Sequence, residues 1–301
     1  MAARHALVGG GTGFIGSRLT KHLGKNGYEV TVVSRMPGPQ RITWHELAEK
    51  GLPSGVTTVI NLAGQNVLVP TRRWTPGFKQ NVWNSRVNTT ASMAKAIQRS
   101  ERNIESFINI SGVSLYKPSE RVYTEDDKGE GYDFMSNLCL EWENAASLPS
   151  ESGCRVVKIR TGVVVGRGGG MIQSMYYPFF FGLGGPIGSG KQPLPWIHID
   201  DLCRLIQFSA ENEKVSGALN AVAPEVVTNE QFSKQFACSL RRPSLFAVPE
   251  FVVKAIFGEE RAALLLLGAK VKPKRTLDCG FEFKYPTAKA ACDEVVKSSA
   301  N

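Results

Sequence analysis

Gly10, Gly13 and Gly16 stand at even spacing within Gly9-Gly10-Gly11-Thr12-Gly13-Phe14-Ile15-Gly16. That spacing lets a backbone turn tightly and bring its N–H groups against an anion. Ser34-Arg35 follows a β-branched run, and a hydroxyl beside a guanidinium suits a phosphate monoester. Two further apolar runs end in small or polar residues: Asn61-Leu62-Ala63-Gly64, and Ser111-Gly112-Val113-Ser114-Leu115-Tyr116. Ser111 and Tyr116 are the candidate catalytic pair, one to orient a substrate oxygen and the other to exchange a proton with it. A free phenol titrates near about 10, so Tyr116 needs a cationic neighbour to serve as a base. Tyr132 and His198 are the substitutes; packing explains Tyr132 better, and His198, between Ile197 and Ile199, reads as a structural histidine on a strand. Cys139, without a histidine partner in sequence, reads as packing.

A sheet must position these groups. Ala6-Leu7-Val8 is a strand leading into the glycines, and Ile15, Leu19 and Leu23 then recur at helical spacing, with Gly24 and Gly27 as end signals. Glu29-Val30-Thr31-Val32-Val33 is the second strand. Strand, glycine turn, helix, strand is a dinucleotide grip, in which Gly10, Thr12, Gly13, Phe14, Ile15 and Gly16 surround a pyrophosphate at a helix N-terminus. An acidic residue after the second strand would bind the ribose hydroxyls of NAD(H); Ser34-Arg35 selects the 2′-phosphate of NADP(H) instead.

The spacing further predicts a buried strand over residues 56–61, a long helix from Pro76 to about Ser100 with Arg86 as its one unusual member, and strands over 104–110 and 156–165. Pro195 to Leu202 passes from an extended segment into a helix capped by Asp200 or Asp201. The expected fold class is α/β, a Rossmann-type doubly wound parallel sheet with a smaller C-terminal substrate lobe. Residues 1–166, completed by about 196–222, form the NADP-binding domain; 167–195 and 223–301 form the substrate-side lobe. Residues 179–193, rich in aromatics and glycines, make either a mobile lid or a rigid wall.

The balance of 42% hydrophobic and 21% charged residues over 301 positions suits one large α/β enzyme domain with an appended lobe. The net charge of +9 is spread without an aromatic-interleaved cluster, which argues against nucleic acid as a partner. Six cysteines lie singly and four histidines show no ligand spacing, so neither a metal site nor a disulfide framework is expected. No apolar run is long enough to span a membrane, and Met1-Ala2-Ala3-Arg4-His5 leaves no room for a signal or transit peptide before the first strand. A cytoplasmic or other reducing compartment is the expectation, with the chain a monomer or homodimer acting on a small molecule.

Gly10-x-x-Gly13-x-x-Gly16, Asn61-Leu62-Ala63-Gly64, Ser111 with Tyr116, Arg160-x-Gly162-x-x-x-Gly166 and Ile197-His198-Ile199-Asp200-Asp201 together resemble the extended short-chain dehydrogenases/reductases of the epimerase-like group. Val248-Pro249 to Gly258, Leu267 to Val271 and Gly280 to Pro286 are similar to the tail of one atypical subgroup. The resemblance implies Ser34 and Arg35 at the 2′-phosphate, Asn61 and Leu62 along the cofactor with Ala63 and Gly64, Arg86 at a phosphate or ribose, and Val163 near the nicotinamide. It also exposes a departure. Active members carry Tyr-x-x-x-Lys on a helix beside the nicotinamide, where the lysine lowers the tyrosine pKa and holds the ribose. In Tyr132 to Glu143 no such pair exists, and aligning Glu143 with the family's glutamate puts Met135 in the tyrosine slot and Cys139 in the lysine slot. Two readings follow: an NADP-dependent oxidoreductase or epimerase-like enzyme with altered proton chemistry, acting on a small carbonyl or sugar-like compound, or an NADPH-binding sensor that has lost catalysis.

Overall fold

In a computed structural model, which describes residues 4–69 and 72–297, seven parallel strands form the central sheet. Met1-Ala2-Ala3 of the N-terminal stretch lie outside the described residues. The strands are β1 (Arg4–Gly9), β2 (Tyr28–Ser34), β3 (Arg41–Thr43), β4 (Val56–Asn61), β5 (Ser106–Gly112), β7 (Arg155–Thr161) and β10 (Gly217–Ala221), in spatial order β3-β2-β1-β4-β5-β7-β10. Order reverses between β1 and β4, the crevice where doubly wound sheets bind ligands.

Alternation along β1 explains the layers. Ala6 and Val8 face a core with Leu19 and Leu23 of helix α1 (Phe14–Lys25) and with Leu202, Leu205 and Ile206 of α7 (Ile199–Glu211). Leu7 faces the other way, onto Leu47 of α2 (Trp44–Lys50) and Met93 and Ile97 of α4 (Val87–Gln98). With helices on both sides, these strands read as continuous apolar runs.

Two small sheets extend this frame. β8 (Val163–Val165) pairs with β9 (Trp196–His198), and β6 (Val122–Tyr123) pairs with β11 (Lys270–Val271). α6 (Gly170–Phe180), α8 (Asn229–Ser239) and α12 (Ala288–Lys297) share a second core around Phe179, Trp196, Phe232 and Phe236. α9 (Glu250–Phe257), α10 (Glu259–Leu266) and the short α11 (Lys274–Asp278) complete the C-terminal part. Among the described residues no helix is long and apolar enough to cross a membrane.

The structure corrects three expectations. The long helix breaks into α3 (Pro76–Asn84) and α4, because Arg86 N–H bonds to Trp83 O at 3.0 Å and tightens the turn while Ser85 Oγ accepts the Gln65 N–H at 2.9 Å. The 156–165 strand breaks at Gly162, where a Cβ would lie 2.6 Å from Pro195 O; this close approach sends β8 out of the main sheet to meet β9. The cap of α7 is His198, whose ring accepts the Asp200 N–H at 3.2 Å, and not Asp200 or Asp201. Asp200 instead pairs with Arg18 of α1 at 2.8 Å, and Asp201 takes the backbone N–H groups of Lys284 and Tyr285, both at 2.8 Å. Within residues 179–193, several hydrogen bonds tie the segment to its neighbours. Gly188 N–H bonds to Val248 O at 2.8 Å, Ile187 N–H to Asn229 Oδ1 at 2.8 Å, and Gln192 Nε2 to both Ile187 O and Leu265 O at 3.0 Å.

Candidate active site

The glycines divide their work. At Gly16 an added Cβ would sit 2.2 Å from Gly10 O, so this glycine exists to let α1 pack against the turn. Gly10 has φ +73°, in the left-handed region, and a Cβ there would meet the Ala63 backbone at 2.9 Å. Gly13 differs: its extended backbone strains nothing, and a Cβ would meet only Gly10 O, at 3.4 Å. Open space therefore lies over Gly13, at the N-terminus of α1. That helix has no side-chain cap and no acidic residue in its first turn, leaving free N–H donors and an uncompensated positive dipole end. Phe14 locks the turn in place. Its ring fills the spaces left by Gly166, Gly169 and Gly170, which ties β8 and α6 to the start of α1.

At the end of β2, Ser34 is buried and its hydroxyl donates to Met36 O, which fixes the corner. Arg35 is exposed and makes no hydrogen bond or ion pair among the described residues, so its fork is free for a phosphate.

Across the crevice, Asn61 is fully buried. Its side chain donates to Thr90 Oγ1 at 2.7 Å and Asn109 Oδ1 at 3.3 Å, and accepts the Ala63 N–H at 3.1 Å. Asn61 thus shapes the turn from within, and Leu62, Ala63 and Gly64 form the edge beside the glycine turn. Thr90 and Asn109, which hold Asn61, had no signal in sequence beyond being polar within apolar runs. At the end of β5, Ser111 is 2% exposed and its hydroxyl has no hydrogen-bond partner among the described residues. A buried hydroxyl left unpaired costs roughly 1–3 kcal/mol, a debt a ligand oxygen would cancel.

Between these two strand ends lies Arg86. Its guanidinium touches Gly64, donates to Gln65 O at 2.9 Å and Val82 O at 3.3 Å, and lies over the Trp142 ring at 5.2 Å. Among the described residues it has no carboxylate partner, and desolvation pulls its pKa down to about 10. Trp142, which the sequence reading missed, sits on α5 (Phe134–Ala145), the helix that also carries Met135 and Cys139. The Cys139 sulfur packs where a Gly112 Cβ would be, 3.3 Å away, and burial pushes its thiol up to about 12 despite the Arg86 charge. Met135 joins Phe78, Val82 and Leu138 in an apolar cluster. Neither Met135 nor Cys139 thus carries a group that titrates near neutrality.

Tyr116 does not reach this site, which corrects its assignment as an acid–base residue. It is 2% exposed and stacked on Tyr123. Its hydroxyl meets Thr124 O and Asn220 Oδ1, and it accepts a hydrogen bond from Arg160 Nη1, all at 2.9 Å. Arg160 is in turn clasped by Glu143 at 2.9 and 3.1 Å. Burial raises the phenol pKa, with Arg160 opposing less strongly. Tyr132 lies at the rim, its hydroxyl donated to Ser114 O at 3.1 Å, and burial raises its pKa too. His198 is 1% exposed, bonded to Glu294 at 2.9 Å and packed on Tyr285, with its pKa lowered by burial. Val163, partly buried, starts β8 with its N–H on Pro195 O at 2.8 Å. Among the described residues no cluster of histidine, cysteine or carboxylate groups could hold a metal.

The chain has known relatives. The chain is 50% identical over 292 residues to the epimerase family protein SDR39U1 of Mus musculus, covering 96% of this chain and 99% of that one. It is 34% identical to the epimerase family protein YfhF of Bacillus subtilis, covering 95% and 96%. The crystal structure of human epimerase family protein SDR39U1 (isoform 2) with NADPH superposes with a TM-score of 0.95 at 48% identity, covering 97% of this chain and 99% of that one. Residues 248–295 match a domain of unknown function, DUF1731. Residues 6–221 match the NAD dependent epimerase/dehydratase family, and this chain belongs to that family.

Proposed function

We propose that this protein is an NADP(H)-dependent oxidoreductase of epimerase-like architecture that acts on a small carbonyl or sugar-like compound. The observation that carries the reading is the free Arg35 guanidinium beside the open, uncapped N-terminus of α1, two anion sites on one side of the switch point. The residues fit the cofactor on the protein's own terms. The N–H groups following Gly13 would receive the pyrophosphate, Arg35 the 2′-phosphate at the corner Ser34 fixes, and Leu62 to Gly64 would flank the ribose. Val163 would border the nicotinamide, and the unpaired Ser111 hydroxyl would orient the substrate oxygen. When bound, NADPH supplies the hydride. That human SDR39U1 was crystallised with NADPH supports the same choice.

A second reading has its own observation. Met135 has no ionisable group and burial pushes the Cys139 thiol up to about 12, which suits a sensor that binds NADPH without turning over.

Fluorescence titration with NADPH and NADH, beside Arg35→Ala, tests the cofactor directly. A guanidinium–phosphate contact contributes about 1.5–3 kcal/mol, and exposure favours the lower end, so NADPH affinity falls roughly tenfold or more in the variant. NADH affinity stays as it was. Equal wild-type affinity for the two nucleotides refutes the assignment of Arg35.

A further inference from the structure

Large apolar side chains left at the surface are not spread evenly over this chain. Among the described residues, nine of the fifteen that are exposed lie in two segments, 177–183 and 245–256. The two segments run side by side, from the end of α6 and from the approach to α9. Val248 N–H bonds to Pro186 O at 2.8 Å, Phe246 N–H to Gly184 O at 3.4 Å, and Arg242 Nε to Phe180 O at 2.8 Å. Tyr177, Phe181, Leu183, Leu245, Phe246 and Phe251 stand between 57% and 76% exposed. α9 continues the patch: only Val253 of its eight residues is buried, although only Glu250 and Lys254 are polar. Exposed hydrophobic residues standing singly are ordinary, whereas a contiguous apolar patch marks a surface that something covers.

The groups around and within the patch indicate what covers it. Arg167, Arg241 and Arg242 are exposed and have no carboxylate partner among the described residues. Arg242 lies over the Phe180 ring at 5.5 Å and Arg167 over the Tyr176 ring at 5.9 Å, so both guanidinium groups stand at the patch's edge. Glu250 and Glu259, by contrast, share Lys254 at 2.9 and 3.1 Å. The rim is therefore positive. From Pro178 to Ile187, and again from Leu245 to Pro249, no side chain can donate or accept a hydrogen bond. A protein interface carries roughly one hydrogen bond per 100–200 Å2, which helps to fix its register, and these stretches offer no side chain for one. A second copy bound through the same patch would set one arginine rim against the other. A lipid surface needs no register: it takes aromatic and aliphatic groups below its headgroups, and its phosphates attract the arginines.

We infer that this face docks on an anionic phospholipid membrane, with Phe181, Leu245 and Phe251 entering the headgroup–acyl boundary and Arg167, Arg241 and Arg242 resting on the phosphates. The contact is peripheral, since no described helix is long and apolar enough to cross a bilayer.

The test is flotation of the purified full chain with vesicles of phosphatidylcholine alone and of equimolar phosphatidylcholine and phosphatidylglycerol. It compares wild type with Phe181→Ser/Phe251→Ser and with Arg241→Gln. Thermal melts and sedimentation velocity accompany each protein; all three substituted side chains are exposed, so the variants should melt with the wild type. Wild type should partition onto the mixed vesicles roughly tenfold or more better than onto phosphatidylcholine, and raised salt should release it. Loss of each phenyl group should weaken partitioning roughly tenfold, and loss of the Arg241 charge about fivefold. Wild type that floats with neither vesicle overturns the proposal. Equal binding to both vesicles removes the arginine rim from the contact and overturns it too, and unchanged flotation of both variants places any contact elsewhere on the molecule. A wild-type dimer that Phe181→Ser/Phe251→Ser converts to monomer makes the face an interface between copies, and the membrane assignment falls.

Discussion

Two substitutions identical in chemistry, Gly13→Ala and Gly16→Ala, should fail in opposite ways. At Gly16 the new methyl carbon would lie 2.2 Å from Gly10 O and 2.6 Å from Gly11 Cα. Both obstacles are backbone, so relief requires α1 to lift from the turn by about an ångström, disturbing Leu19 and Leu23 in the core behind it. Overpacking of this kind costs roughly 1–3 kcal/mol, or about 2–8 °C in melting temperature for a chain of this size. At Gly13 the methyl meets only Gly10 O at 3.4 Å and the backbone is extended, so the fold loses only the roughly 1 kcal/mol by which alanine is a poorer N-cap than glycine. The methyl would, however, project into the space assigned to the pyrophosphate. A phosphate displaced from the helix N-terminus forfeits one or two hydrogen bonds worth about 1–1.5 kcal/mol each, an affinity loss of roughly tenfold to a hundredfold. Differential scanning fluorimetry without ligand and NADPH titration give both quantities for each variant. Wild-type NADPH affinity in a stable Gly13→Ala would show that no phosphate rests over Gly13. The reasoning also fails if Gly16→Ala melts with the wild type.

Tyr116→Phe leaves Arg160 Nη1, Asn220 Oδ1 and Thr124 O short of a partner and should cost about 1–3 kcal/mol in urea unfolding without a selective loss of turnover; unchanged stability with abolished activity would restore the phenol to catalysis. His198 is held neutral by burial, with its folded pKa below the ordinary value of 6.5. The unfolded chain therefore binds the extra proton first, so this contribution is full above pH 6.5 and is lost as pH falls below it. His198→Asn keeps a cap on α7 but cannot titrate, so its unfolding free energy should decline less than wild type between pH 7 and 5.5; parallel declines would exclude His198 as the source.

The parts of this molecule legible in sequence are those where local rules and tertiary packing agree. Ala6 to Val8, the glycines and Leu19 with Leu23 announce strand, turn and helix because one periodicity serves both the element and its core. The family motifs also place Ser111 at a strand end, where its hydroxyl is buried and without a hydrogen-bond partner among the described residues. What sequence hides is which polar group is satisfied from far away. Tyr116 and Ser111 look alike as catalytic candidates, yet Tyr116 is consumed by Asn220 and Arg160, which are 104 and 44 residues away. His198 caps its own helix locally, but its commitment to Glu294 spans 96 residues.

Arg86 shows the converse. Read as a helix residue, it belongs to a continuous run from Pro76, since nothing from Asn81 to Asn88 is proline or glycine. At the break the Ser85 hydroxyl accepts the Gln65 N–H from the loop after β4, a contact no local propensity encodes. There Arg86 N–H bonds to Trp83 O at 3.0 Å, and the guanidinium that follows lies against Gly64 and donates to Gln65 O at 2.9 Å. A family member without the usual proton-transfer pair thus keeps a fixed positive charge at the crevice floor. Its position depends on Ser85, so Ser85→Ala should relax the break and weaken whatever Arg86 does, while leaving the Arg35 corner untouched.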